Sequence, residues 1–367
     1  MNYQMAIAYS ADKIFTGNGW IEKSAVVVDA GRIEKIVPLE ELPSSVKLAA
    51  HGAMLAPSFI DIQLYGAHSK LFAVYPQTDT LEKIRDYCQS GGAKYFLPTL
   101  ATNSMEVFYK GIDAIRAYWK EGGSGVLGLH VEGPWINPEK KGAHIASFIH
   151  SPTMQEVTSL VEYGRGVIKV ITLAPEVCDP EIIDYIQGEG IIVSAGHSNG
   201  TFEQINEAFD RGVRLATHLF NAMSPLHHRK PGFPAAVLLH PTVMASIVAD
   251  GYHVDFSMIK LAKKLMGERL FLITDAVTET REGPYPHHLV GEKYESNGIL
   301  SGSALTLLKA VRNCIDRCGI SLEESLKMAG LYPARALAIS HQTGKIAPGF
   351  NADMVMLDES LHSANCI

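Results

Sequence analysis

The chain has 367 residues, of which 47% are hydrophobic and 19% are charged, and its formal net charge is −7 at pH 7. This composition supplies enough apolar surface for a large core and excludes an intrinsically disordered protein. The negative net charge excludes an extended basic surface for nucleic acid, so any bound anion must be held locally. We expect no membrane partner either, because no apolar run could span a bilayer and residues 1–17 lack a signal-peptide pattern.

Both ends of the chain are predicted to contribute strands to a small β-sandwich module. Near the start, four short strand-like stretches are separated by turn residues at 17–19 and 30–31. These stretches are residues 6–9, 13–16, 24–29 and 32–38. Near the end, a turn rich in glycine precedes an alternating strand that stops at Asp358. We therefore predict that residues 1–53 and 345–367 form one module together.

Residues 54–344 alternate between apolar, strand-like runs and helical patterns. The strand-like runs are 58–64, 94–99, 125–131, 167–173, 191–195, 213–216, 243–249 and 269–273. Eight buried strands alternating with helices over about 290 residues are the pattern of a TIM-like (β/α)8 barrel, and hence of the α/β class. A doubly wound open sheet is the alternative, but it normally has fewer strands, and no glycine-rich phosphate fingerprint follows the first run.

Polar side chains follow most of these runs at the point where each predicted strand ends. They are Asp61, Gln63, Thr99, Glu132, Glu176, His197, His218, Asp250 and Asp275. In a (β/α)8 barrel the carboxyl ends of the strands meet at one face, so these side chains should converge on one pocket. A helical protein would have no reason to place such groups after successive apolar runs.

One carboxylate and two imidazoles in this set predict a metal site. Glu132, His197 and His218 follow three different strands. Three protein ligands with an open position for water are typical of catalytic zinc-type sites, in which the metal lowers the pKa of the water. Asp275 ends the last strand and is predicted to be the general base and acid. Singly, each residue could be a buried imidazole or a helix cap, but neither alternative explains why all four share the same topology.

Five cysteines are scattered along the chain. Cys314 and Cys318 are four residues apart in a helical pattern, and we interpret them as core thiols rather than as a metal pair. The absence of a disulfide spacing pattern fits a reducing, cytoplasmic environment.

Eight short segments of the chain form a recognisable combination of motifs. They are HVEGPWIN at 130–137, KGAH at 141–144, SAGHS at 194–198, THLFNAM at 217–223, LITDA at 272–276, LSGS at 300–303, LYPARA at 331–336 and GFNAD at 349–353. Together they closely resemble the N-acetylglucosamine-6-phosphate deacetylases of the amidohydrolase superfamily. The match is in register from residue 56 onward. Each segment alone would indicate only the superfamily, whereas the combination is highly specific.

This resemblance implies a metal-dependent barrel with a β module built from both termini. By motif, Glu132, His197 and His218 correspond to the metal ligands and Asp275 to the general base and acid. The implied reaction converts N-acetyl-D-glucosamine 6-phosphate to D-glucosamine 6-phosphate and acetate, in amino-sugar catabolism and cell-wall recycling. A related N-acyl sugar phosphate, such as N-acetylgalactosamine 6-phosphate, is the alternative substrate. A non-catalytic scaffold is disfavoured, because such relatives usually lose ligands or the base.

The resemblance also implies a set of substrate contacts. They are Ala143, His144, Asn221, Ala222, Arg229, His253, Leu300, Ser301 and Gly302. Arg229 is the natural partner of a sugar phosphate, because guanidinium pairs with phosphate through two hydrogen bonds; a solvated surface charge is the alternative. A homodimer with the phosphate near a subunit boundary is implied as well. The pairs His227-His228 and His287-His288 lie in predicted loops, and we expect them to be solvated.

The sequence departs from a common superfamily pattern after the first strand. Many members carry His-x-His there, which helps to bind a second metal, whereas this chain has Gln63-Leu64-Tyr65. We therefore expect one divalent metal ion per subunit, zinc first, with iron, cobalt and manganese also compatible with the ligands. Gln63 is predicted to contact the water on the metal. Deacetylases of this family with one metal often have asparagine at the position of Tyr65. This difference, together with the unusual residues 67–72, leaves open how the substrate fits near Tyr65. A minor alternative is that His68 approaches the metal.

Overall fold

The computed structural model describes residues 6–280 and 282–367. The chain divides into two compact units. One unit comprises the chain up to Ile60 together with Cys88–Tyr95 and Thr306–Ile367, and the other comprises Asp61–Tyr87 and Phe96–Leu305. The domain boundaries at 53/54 and 344/345 stay a prediction. No helix within the described ranges is both long and apolar enough to cross a membrane.

The first unit contains a six-stranded sheet formed by both ends of the chain. In spatial order its strands are Ala364–Cys366, Met354–Leu357, Lys47–Pro57, Ile7–Phe15, Trp20–Asp29 and Arg32–Pro38. Apolar side chains of alternating residues pack on its core, among them Ile14, Val26, Leu55 and Met354. The sheet confirms that the two termini build one β module, as expected for short strands that must share a core.

Two details of the predicted terminal strands are wrong. Residues 6–9 and 13–16 belong to one strand, Ile7–Phe15, because the polar Ser10 is buried within the sheet and does not interrupt the pairing. The strand Lys47–Pro57 was not predicted, since its alanines and glycine give little β propensity; it pairs parallel with Ile7–Phe15.

Three helices complete this unit, at Leu307–Cys318, Leu322–Ala329 and Leu331–Ala336. Cys314 and Cys318 are buried on the first of them, which confirms their interpretation as core thiols. None of the five cysteines forms a disulfide.

The second major sheet has eight strands in sequential order, which we number β1 to β8. They are Phe59–Leu64, Ala93–Ala101, Leu129–Glu132, Ile168–Leu173, Ile192–Ala195, Leu215–Ala216, Met244–Val248 and Leu270–Ile273. Neighbouring pairs from β2 to β8 are parallel. A parallel bridge between Leu64 and Ala276 connects the end of β1 with the segment after β8. The predicted (β/α)8 barrel is therefore confirmed.

A helix follows each of the first seven strands, in line with the predicted alternation of strands and helices. These helices are Thr78–Ser90, Met105–Lys120, Met154–Tyr163, Pro180–Gly188, Phe202–Asp210, Gly232–Leu239 and Phe256–Met266. Side chains at the amino ends explain several starts: Thr153, Asp179 and Asp255 each accept a hydrogen bond from a backbone N–H of the first turn. Thr201 forms a capping box with Gln204.

Candidate metal centre and substrate pocket

The carboxyl ends of β3, β5, β6 and β8 bring the four principal predicted residues together. Glu132 is the last residue of β3, and His197, His218 and Asp275 each lie two residues beyond their strand. These last three have φ of 47°, 36° and 54°, in the left-handed region. Such a conformation costs a non-glycine residue on the order of 1–3 kcal/mol and persists only where neighbouring groups impose it. The strain turns each side chain toward the same point.

The two imidazoles face one oxygen of Glu132. Nε2 of His197 lies 3.3 Å and Nε2 of His218 lies 3.2 Å from Glu132 Oε1, and the two nitrogens are 3.1 Å apart. Nδ1 of His197 lies 2.8 Å from the carbonyl oxygen of Lys140. Because a carbonyl only accepts, Nδ1 carries the proton, and in the neutral ring Nε2 presents a lone pair to the carboxylate. Converging lone pairs of this kind fit a bound cation.

His144 is a second imidazole neighbour of the same carboxylate. Its Nε2 lies 3.3 Å from Glu132 Oε2, and ligand atoms of Glu132, His144 and His197 all fall within 4.8 Å of one another. By distance alone, either His144 or His218 could be the third ligand. We favour His218, because it shares oxygen Oε1 with His197, whereas His144 faces the opposite oxygen.

Burial and the surrounding imidazoles set the pKa of Glu132. Burial alone would raise this pKa, but contacts with His144, His197 and His218 hold it well below its usual range. Glu132 is therefore an ionised carboxylate, as a metal ligand should be. For His144, burial is the largest influence and lowers the pKa to about 4, so the ring is neutral. Its Nε2 must then carry the proton toward Glu132, while Nδ1 accepts a hydrogen bond from Thr102 Oγ1 at 2.6 Å.

Asp275 lies beside this cluster with a raised pKa. Burial raises it, and the nearby imidazoles of His218 and His253 oppose the rise without cancelling it. Nε2 of His253 is 3.8 Å from Asp275 Oδ2, and its Nδ1 is 2.6 Å from Asp250 Oδ2. Asp250 thus orients His253 toward the carboxyl group that is predicted to act as base and acid.

Gln63 and Tyr65 connect the two carboxylates. Nε2 of Gln63 lies 3.0 Å from both Glu132 Oε1 and Asp275 Oδ1 and 2.8 Å from the hydroxyl of Tyr65. Tyr65 in turn donates to Glu132 Oε2 at 2.5 Å. Burial, followed by the charges of Asp275 and Glu132, raises the pKa of Tyr65 well above its usual value of 10, so the phenol stays protonated. A protonated phenol is a poor metal ligand; the expectation of one metal ion stays a prediction.

A cavity opens over these residues and is lined by eight of the nine predicted substrate contacts. The eight are Ala143, His144, Asn221, Ala222, His253, Leu300, Ser301 and Gly302. The ninth, Arg229, does not line the cavity and is exposed on the loop of residues 225–231. The apolar wall that completes the cavity was not predicted; it includes Leu71, Ala73, Ala101, Val277 and Tyr285.

The four loop histidines differ in how deeply they are buried. His227 and His228 are exposed, as predicted. For His287 the prediction was wrong, because it is buried, lines the cavity and stacks on Tyr285 with ring centroids 6.3 Å apart. It precedes the short strand His288–Val290, in which His288 is exposed. The sequence did carry a signal for this difference. In an extended segment adjacent side chains point in opposite directions, so His287 and His288 should face different surroundings. His68 is exposed and lies outside the cavity lining.

A (β/α)8 barrel with a carboxylate, two imidazoles and a second carboxyl group at its carboxyl-terminal face defines the class of metal-dependent hydrolases. Sequence comparison identifies the family. Residues 54–366 match the Amidohydrolase family, and residues 9–55 match the NagA composite domain. The chain therefore belongs to the amidohydrolase family and is a hydrolase acting on an amide, and the resemblance noted from its motifs is confirmed.

Similar proteins cover almost the whole chain. An N-acetylglucosamine-6-phosphate deacetylase of Haemophilus influenzae is 31% identical, over 94% of this chain and 93% of that protein. An N-acetylgalactosamine-6-phosphate deacetylase of Escherichia coli O157:H7 is also 31% identical, over 96% and 95%. The crystal structure of the N-acetylglucosamine-6-phosphate deacetylase from Pasteurella multocida has 33% identity and a TM-score of 0.92, over 98% of this chain and 97% of that one.

Proposed function

We propose that this protein hydrolyses the acetamide of N-acetyl-D-glucosamine 6-phosphate to D-glucosamine 6-phosphate and acetate, in amino-sugar catabolism and cell-wall recycling. The observation that carries the proposal is the convergence of Glu132, His197 and His218 on one point beside Asp275. The names of relatives that span this chain support the substrate. We place the reaction in the cytoplasm, where thiols without disulfides stay reduced.

The proposed cofactor is one divalent metal ion per subunit. Glu132 Oε1, His197 Nε2 and His218 Nε2 would hold it, and the hydrogen bond from His197 to Lys140 fixes the tautomer that this requires. Zinc ranks first, although iron, cobalt and manganese also accept this donor set. When bound, the ion would lower the pKa of a water molecule toward neutrality and polarise the acyl carbonyl.

Asp275 is proposed to move the protons. As a base, its carboxylate takes a proton from the attacking water; as an acid, it returns a proton to the amine that leaves. Both roles need a pKa nearer to neutrality than that of an ordinary aspartate, and burial shifts it in that direction. Gln63 holds Oδ1 of Asp275 in place through its side-chain amide, 3.0 Å away.

The substrate is proposed to lie against the cavity wall that His144 and His253 share. His144 lines this cavity beside Glu132, where its imidazole would pack against the acetyl group or the sugar ring. Residues 221–222 and 300–302 offer backbone groups along the same cavity. The apolar side chains of Leu71, Ala101 and Tyr285 line the same cavity and would limit the access of water to the bound substrate.

We propose a homodimer in which Arg229 binds the phosphate of substrate held by the other subunit. The support is that Arg229 is exposed and lies outside the cavity of its own chain. A mixing experiment tests this arrangement. The Asp275→Asn and Arg229→Ala proteins, each deficient in activity alone, are mixed in equal amounts and allowed to exchange subunits. If Arg229 acts across the boundary, each mixed dimer contains one complete site, and about a quarter of wild-type activity should return. No recovery would place Arg229 in its own subunit or outside the site.

The activity is tested by acetate release from N-acetylglucosamine 6-phosphate and from its galacto epimer. We expect turnover that is lost with a chelator and restored by zinc, with the higher kcat/KM on the gluco substrate. The galacto epimer is the second candidate because a relative of equal identity acts on it by name. A preference for the galacto epimer would reassign the substrate, and no acetate from either by metal-loaded protein would refute the proposal.

A further inference from the structure

Glu176 lies just beyond β4, in the short 3-10 helix Pro175–Val177, and the proposed mechanism does not use it. We propose that Glu176 is a positioning residue that sets the metal affinity of the site by clamping His197. The inference rests on the metal site proposed above, but it concerns a different part of the structure. Glu176 is half-buried beneath the loops that follow β3 and β5.

The first half of the clamp acts on the backbone after His197. Glu176 Oε2 accepts a hydrogen bond from Ser198 Oγ at 2.6 Å, and Oε1 accepts one from the backbone N–H of Asn199, also at 2.6 Å. These short distances are typical of hydrogen bonds to an ionised carboxylate, which are about twice as strong as neutral ones. They hold the two residues that follow His197, whose φ of 47° must be imposed by its surroundings.

The second half acts through Asn137 on the carbonyl and the ring of His197. Glu176 Oε1 accepts a hydrogen bond from Asn137 Nδ2 at 3.0 Å, and the backbone N–H of Asn137 donates to the carbonyl of His197 at 2.9 Å. Asn137 Oδ1 accepts from the backbone N–H of Glu139 at 2.9 Å and so caps the turn Pro138–Lys140. The carbonyl of Lys140, at the end of that turn, receives the Nδ1–H of His197.

The clamp uses both oxygens of one carboxylate. The three groups that the described residues direct at Glu176 each donate to it: one hydroxyl, one backbone N–H and one side-chain amide. A glutamine at this position would keep the shape but would lose the negative charge and replace one acceptor oxygen with an NH2 group, so that the Ser198 hydroxyl would have to accept instead of donate. Because the partners that orient a ligating histidine typically control metal affinity by 10–100-fold, the replacement should weaken zinc binding by that order.

The experiment compares zinc affinity of the full-length wild type, Glu176→Gln and Glu139→Gln. Metal is removed with a chelator, and zinc is titrated back in competition with a chromophoric chelator. Glu139→Gln is the matched control, because its carboxylate contacts Asn199 in the same loops, at 2.6 Å, but from the exposed side. We expect Glu176→Gln to bind zinc 10–100-fold more weakly, and Glu139→Gln to stay within about twofold of the wild type.

Two further measurements separate positioning from simple stabilisation. Urea unfolding of the metal-free proteins should be similar for wild type and Glu176→Gln, and the visible spectrum of the cobalt-loaded variant should differ from that of the wild type. Zinc affinity of Glu176→Gln equal to that of the wild type overturns the inference, as does a loss explained fully by weaker folding of the metal-free protein.

A milder variant covers the case in which Glu176→Gln does not fold. Ser198→Ala removes only one of the three hydrogen bonds, and we expect zinc binding about 3–10-fold weaker, with unchanged affinity contradicting the clamp. A wild-type protein that binds neither zinc nor cobalt would refute the proposed metal site and the clamp with it. Wild-type binding combined with unaffected variants would refute the clamp alone.

Discussion

The proposed reaction centre and the loop of residues 225–231 differ in their burial and in their position relative to the cavity. Glu132, His197, His218 and Asp275 are all at most 7% exposed, and side-chain contacts connect them into one cluster. Arg229, on the loop, is exposed and contributes nothing to the cavity lining. The groups proposed for bond cleavage therefore lie together within a single chain, whereas the group proposed to bind the substrate phosphate lies outside this cavity.

The largest effect should come from the reaction centre itself. Asp275→Asn removes the group that accepts and returns the proton, so kcat should fall by about 10²–10⁴-fold. Zinc content should stay near that of the wild type, because Asp275 is not assigned as a ligand. Acetate release and metal analysis on the same preparations check this. Turnover near the wild-type rate would show that another group is the base.

The next effect should come from the exposed loop and should depend on the phosphate. Loss of a guanidinium–phosphate contact costs about 1.5–3 kcal/mol, so Arg229→Ala should reduce kcat/KM for the sugar phosphate by about 10–100-fold. The same substitution should leave the activity on unphosphorylated N-acetylglucosamine equal to that of the wild type. Lys230→Ala, on the neighbouring exposed residue, serves as the control. An equal loss of kcat/KM on both substrates would show that Arg229 does not act through the phosphate.

A smaller effect is expected where the cavity wall touches the metal site. Tyr65→Phe keeps the ring against Leu71 and Ala101 but removes the hydroxyl that donates to Glu132. Since His144 still contacts the same oxygen, zinc affinity should fall only about tenfold. Competition titration measures this loss. An unchanged affinity would mean that the hydroxyl contributes nothing to the orientation of Glu132.

The smallest effect on catalysis should come from Asp61, which lies deep in the barrel. Burial is the main cause that raises its pKa from 3.8 to about 7. The folded state therefore holds this proton more tightly than the unfolded state, so the contribution of Asp61 to stability is full below pH 4 and is lost as pH rises toward 7. Relative to Asp61→Asn, the unfolding free energy of the wild type should fall by about 2 kcal/mol between pH 5 and pH 8.

Urea unfolding at the two pH values measures this difference, and the subtraction removes groups that titrate in both proteins. The carboxyl accepts hydrogen bonds from Thr274 and Gln63, and asparagine retains one acceptor oxygen for the two backbone N–H groups. A constant difference across this range would show that Asp61 does not titrate there. Catalysis should change little, because Asp61 does not line the cavity.

The sequence alone determined the barrel and the four residues at its centre, for a physical reason. Buried parallel strands appear as apolar runs, and the carboxyl ends of such strands must meet, so Glu132, His197, His218 and Asp275 could be brought together without coordinates. The family motifs extended this to the cavity lining, including His144 and the segment 300–302.

Only the tertiary structure decided which distant groups touch one another. Gln63 spanning Glu132 and Asp275, and Glu176 joining the loops around His197, are contacts between segments far apart in the chain, which no local pattern encodes. His287 was mistaken for a solvated residue because its burial depends on which side of an extended segment faces the cavity. Local preferences act over a few residues, whereas a hydrogen bond is set by ångström-scale positions that the packed barrel fixes.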